Sequence, residues 1–155
     1  MRAILGIAIG LLVAGCSSQA NSSSASYQVF AYHCCAEIGA TTTWHPGQHV
    51  VIHWLAQPVG SRAEPSPVSI SLTVRLTGPF ASVDALKAAV STKQLPPGTR
   101  TYEGVPASVT DRSGGAPTSE LYLPNDLPAG YYNLESAESY ASDKQSGATI
   151  VVVQP

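Results

Sequence analysis

A chain of 155 residues with 44% apolar and only 12% charged side chains has the size and apolar content of one packed domain. Its formal charge is -2, and the seven Lys and Arg that follow Arg2 are scattered from Arg62 to Lys144 without a basic stripe. Nucleic-acid binding, which needs clustered cations to displace counterions, is excluded as a function class.

Residues 1–15 read MRAILGIAIGLLVAG: one positive charge, an apolar run from Ala3 to Val13, then small residues. The run is about half of the ~20 residues a membrane-spanning helix needs, so a cleaved leader fits better than a permanent anchor. Val13-Ala14-Gly15-Cys16 resembles the bacterial lipobox, with valine where leucine is commoner. The resemblance implies a lipoprotein signal peptide over 1–15, with lipid carried on Cys16, which becomes the new N-terminus. It also implies a cell-membrane location with the rest of the chain facing the periplasm or exterior. Ser17 to Ser26 has no charge and no bulky apolar residue. With Cys16 it makes a spacer over 16–26, about 16–19 Å r.m.s. for ten coil residues.

Residues 27–155 read as one domain built mostly from strands. Tyr27 to His33 is aromatic and β-branched. It leads into His33-Cys34-Cys35, two adjacent thiols of an exported chain. Their Cα atoms stand ~3.8 Å apart across a trans peptide, below the usual disulfide range, and strand neighbours face opposite ways. A strained eight-membered ring, two free thiols and an intermolecular bridge all remain open. His45, His49 and His53 follow. Two thiols and an imidazole suit Cu(I) or Zn(II), yet His49 and His53 lie about 13 Å apart on one strand face, too far to chelate one ion together. No metal ligand and no cofactor are assigned.

His45-Pro46-Gly47-Gln48 has the Pro-Gly centre of a type II turn. Gln48 to Leu55 then alternates, with Val50, Ile52 and Trp54 on one face and His49, Val51 and His53 on the other. Trp44, before the turn, is expected to be partly exposed and Trp54 to be core. Val68 to Thr77 is the clearest strand, with Val68, Ile70, Leu72, Val74 and Leu76 alternating with polar residues. Ser82 caps a short helix whose apolar stripe is Val83, Leu86 and Val90, with Asp84 in its first turn. Gly98 to Tyr102 or Ala107 to Asp111 supplies a short edge. Glu120 to Leu123, Tyr131 to Glu135 and Ala148 to Val153 are further strands, and Ser136 to Ser146 reads as a polar loop.

Six to eight strands joined by Pro- and Gly-rich turns predict an all-β antiparallel sandwich, with a small β-barrel as the alternative. Asp126 to Leu134 (DLPAGYYNL) resembles the corner before the penultimate strand of immunoglobulin-like domains. The resemblance implies that Tyr132 bonds back to nearby backbone. No cysteine is placed to form the inter-sheet disulfide of antibody domains.

The motif inventory contains no Gly-x-Ser-x-Gly elbow, phosphate loop or His-Glu-x-x-His helix. Asp84 or Asp111 as a triad member is arbitrary. Glu135, Glu138 and Asp143 read as solvated surface, and Tyr122, Tyr131 and Tyr140 form a binding patch only if they converge. No catalytic residue is assigned, and the chain reads as a non-enzymatic lipoprotein. Its Ig-like domain would bind a protein or cell-wall partner in the envelope. The alternative is an envelope metal-binding or thiol-redox protein using His33, Cys34 and Cys35.

Overall fold

The computed structural model describes residues 25–35, 37–39, 42–141 and 143–155. The leader, Cys16 and the spacer up to residue 24 lie outside them.

Among the described residues, nine strands and one helix follow in chain order: β1 (Tyr27–Cys34), β2 (Thr43–Trp44), β3 (His49–Arg62), β4 (Ser69–Phe80), α1 (Val83–Thr92), β5 (Arg100–Glu103), β6 (Ala107–Thr110), β7 (Thr118–Tyr122), β8 (Gly130–Tyr140) and β9 (Asp143–Val153). They form two sheets. One has the order β1-β3-β7; the other runs β2-β9-β8-β4-β5, with β6 also on β4. Every pairing is antiparallel except β2 with β9. Both expected edges form, side by side along β4. Between them Val105 leaves that sheet and bridges to Glu120 of β7, which joins the two sheets along one side and curls the larger one.

The alternation read from the sequence sets the core. Ile70, Leu72, Val74 and Leu76 of β4 face Val50, Ile52 and Trp54 of β3, with Leu121, Tyr132, Leu134 and Val151 closing the layer. Each such apolar side chain contributes about 1.5–3 kcal/mol on burial. Trp54 is core as expected. Trp44 is buried rather than partly exposed, because β2 adds to the edge of β9 and turns the indole inward. The turn after it has Gly47 at φ 75° and an amide from Gln48 to the His45 carbonyl, as a type II turn requires.

Three elements run differently from the sequence reading. β3 continues past Leu55 to Arg62, through Pro58 and Gly60. β7 pairs only with His49 to His53, so Pro58 lies where that side of β3 has no partner strand and its missing N–H costs no ladder bond. Ser136 to Ser146 is not a loop, because β8 and β9 pair through Glu138–Gln145 and Tyr140–Asp143. Their polar side chains hide a strand that the backbone ladder holds. Finally, Ser82 caps α1 as expected, accepting from the Ala85 amide at 3.1 Å, but the packed face is Leu86 and Ala89. Val90 stays 48% exposed, outside the cluster that Leu86 and Ala89 make with Phe80, Tyr131 and Ile150.

At the entry to β8 the Tyr132 hydroxyl donates to the Pro128 carbonyl at 2.7 Å, four residues back. Burial pushes that hydroxyl up to about 12, in favour of the neutral donor. The ring lies flat on Gly78, where an added Cβ would sit 2.5 Å from it. Glycine is required there by close approach.

Candidate functional site

The outer face of the larger sheet carries a polar groove. Odd-numbered residues of β4 and β8 point away from the core, so pairing sets Glu103, Arg75 and Glu135 side by side across β5, β4 and β8. Arg75 donates to Glu135 through Nε at 3.1 Å and through Nη2. The Glu135 carboxylate, helped by Glu103, raises the already high Arg75 guanidinium further. Asn133 amide donates to Glu135 Oε1 at 3.1 Å and fixes its other oxygen. Thr73, Ala137, Ser146 and Lys144 continue the face toward the β8–β9 hairpin, around a cavity of about 490 Å³. A second cavity of about 380 Å³ runs from Arg75 and Asn133 under Val90 to Lys93 and Leu95. Helix α1 is therefore one wall of the groove and the hairpin its far end. The exposed Val90 that the apolar stripe misassigned lines it.

The sequence does not show the groove, although it holds one signal. Arg75 is the one charge on the polar face of the best strand, flanked there by Thr73 and Thr77. Its partners come from positions 28 and 60 residues away, which no single-strand pattern reveals.

The cysteine and histidine segment separates instead of converging. Cys34 and Cys35 are joined by a disulfide, with Cα atoms 3.7 Å apart and Cys35 at φ 74°. Both pack half-buried against the core. His33 points outward, paired with Leu55. On the same outer face His49 stacks on Tyr122 with ring centroids 4.4 Å apart, and its Nε2 lies 3.2 Å from Glu120. The Tyr122 hydroxyl and His49 together hold the Glu120 carboxyl below its usual range. His45 instead sits against the carbonyls of Gln154 and Pro155. Among the described residues, no three His, Cys, Asp or Glu side chains meet where they would hold a metal ion.

The other candidates also disperse. Asp84 lies in the first turn of α1, and Asp111 is ion-paired to Arg62. Glu135 and Glu138 face opposite sides of β8, and Glu138 is buried rather than solvated. Tyr122 lies on the smaller sheet, while Tyr131 and Tyr140 lie at opposite ends of β8 on opposite faces. The three tyrosines share no patch. Among the described residues no helix is long and apolar enough to cross a membrane.

No family model and no curated protein matches the chain. Solved structures do match. The sporulation control protein Spo0M from Bacillus subtilis is 12% identical with a TM-score of 0.42, over 82% of this chain and 50% of that one. A family 123 glycoside hydrolase from Clostridium perfringens is 10% identical with a TM-score of 0.40, over 73% of this chain and 23% of that one. The chain thus spans half the length of the first and under a quarter of the second. Likeness at this level carries no functional argument.

Proposed function

We propose that the protein is a lipid-anchored, non-enzymatic binding domain of the bacterial cell envelope, whose partner seats in the groove between α1 and the β8–β9 hairpin. The lipobox supports the anchor. The diacylglycerol it would place on Cys16 supplies two chains, and stable membrane attachment needs more than one. The spacer over 16–26 lifts the domain clear of the headgroups.

An immunoglobulin-like sandwich is the finer fold reading. In its support, β1, β3 and β7 share one sheet and β9, β8 and β4 the other, the partition of strands A, B, E and G, F, C in that class. The Tyr132 hydrogen bond at the start of the penultimate strand β8 supports it as well.

The observation that carries the binding role is the groove itself. Its floor is an ordered row of Glu103, Arg75 and Glu135, open to solvent and already aligned before any partner arrives. Ordered polar floors bind with less loss of side-chain freedom than mobile ones. With two carboxylates to one guanidinium, the row favours a partner that offers N–H or O–H donors, such as a peptide backbone or the sugars of a wall polymer.

The test is a photoreactive residue at Lys144, in the groove, compared with one at Ser61 on β3, in cells making the full chain. The proposal expects one discrete adduct from position 144 that Arg75→Glu removes, and none from position 61. Equal labelling at both positions, or none at 144, contradicts it.

The bonded Cys34–Cys35 pair favours a second reading, a thiol-redox protein. A dithiol reductant would deliver two electrons and two protons to the disulfide, giving two thiols and leaving the reductant oxidised. The same crosslinking separates the readings, since Cys34→Ser with Cys35→Ser preserves the adduct only if the groove acts alone.

A further inference from the structure

Even-numbered residues of β8 face the core, and they include Glu138, a carboxylate 4% exposed inside the sandwich. An isolated buried charge is expensive, so a carboxylate in this position calls for a partner. Glu138 Oε1 accepts one long hydrogen bond, 3.3 Å from the Tyr32 amide on the free edge of β1. Among the described residues no donor reaches Oε2. A carboxylate offers about four acceptor sites, so most of its capacity is unused.

The unused side faces space. Toward one end of the sheets, a cavity of about 160 Å³ lies between Glu138 and a wall of Val29, Phe30, Val59, Ile70 and Tyr140. A smaller one, about 110 Å³, reaches from Glu138 past Ser136 toward Cys34. Cavities near 150 Å³ with apolar walls take a benzene-sized molecule. The other ionised groups on the larger cavity, Arg62 and Asp111, are spent on each other at 2.7 Å. Tyr140 and Gln145 also line it, and the exposed His33 of β1 lines only the smaller cavity. The net charge facing the larger space is therefore that of Glu138.

We infer that this seam between the sheets is a binding site for a small organic amine, its apolar body in the 160 Å³ cavity and its ammonium on Glu138. The site is independent of the groove under α1, on the opposite side of β8. Burial raises the Glu138 carboxyl above its ordinary 4.5. An ammonium would return it to the ionised form, so binding should weaken as pH falls through that raised value.

Benzylamine is the probe, titrated into the full lipidated chain in zwitterionic nanodiscs while isoleucine methyl resonances are followed. The Ile70 signal should shift saturably and that of Ile52, in the core beside β7, should not. Benzyl alcohol should bind at least tenfold more weakly and phenylacetate not at all. Glu138→Gln should cut benzylamine affinity at least tenfold. Val59→Trp, at a wall position 60% exposed to solvent, should block entry. Equal binding of benzylamine and benzyl alcohol, retained affinity in either variant, or no saturable shift at Ile70 would overturn the assignment.

Discussion

Trp54→Ala lowers the unfolding free energy by about 3–5 kcal/mol, the range for emptying a fully buried aromatic site. Small domains hold only about 5–15 kcal/mol in total, so the variant is near the edge of folding at 37 °C. The indole is 1% exposed, at the centre of the layer between the sheets. Its N–H donates to Ser119 Oγ at 3.0 Å, and that hydroxyl donates on to the Leu72 carbonyl at 3.4 Å. One side chain thus links β3, β7 and β4 through two direct hydrogen bonds. Truncation removes the packing and also strips Ser119 of its donor. Urea unfolding read by the remaining Trp44 measures the loss, and a shift under about 1 kcal/mol contradicts this account of the core.

Asp111→Ala is the second large effect, expected at about 3 kcal/mol. Asp111 is 5% exposed and ties three segments together. Oδ2 accepts from Arg62 Nη2 at 2.7 Å and Oδ1 from the Val68 amide at 2.8 Å, while its own carbonyl accepts from Phe30 at 2.7 Å. The carboxylate therefore anchors the end of β3 to the approach of β4, and its backbone holds β1. Arg62→Ala leaves the carboxylate buried without its counter-charge and costs a similar amount. Because both changes break one interaction, the double variant should lose clearly less than the sum of the two. Additive losses in urea melts would show that the pair is not the unit described.

Whether an element was readable depended on how far its side chains shared one solvent. β4, with a dry face and a wet face, announced itself by alternation from Ile70 to Leu76. The first half of β3 did the same. The outer halves of β8 and β9 do not, because Ser136, Glu138, Ser139, Asp143, Lys144, Gln145 and Ser146 break the alternation and mimic a loop. Helical periodicity places Val90 inward with Leu86, but it fixes a stripe and not which residues of that stripe meet the sheet, and Leu86 and Ala89 are the ones that do. Tyr132 was found because its hydrogen bond is local, four residues back to Pro128. The Glu103–Arg75–Glu135 row needs strand order, which comes from pairing between residues dozens of positions apart, so the sequence shows only the lone charge at Arg75 on the polar face of β4. The disulfide falls between these cases. The adjacent cysteines were conspicuous, while the bond depended on the backbone turn at Cys35, with φ 74°.

An envelope partner can be reached only by a chain that is processed and held outside the cytoplasm. The mass of the mature N-terminal fragment tests this most directly. The account predicts a chain starting at Cys16, heavier by a diacylglyceryl group, found with the membrane and released into the soluble fraction by Cys16→Ser. A chain that still begins at Met1, or one that carries an unmodified Cys16 thiol, would contradict it.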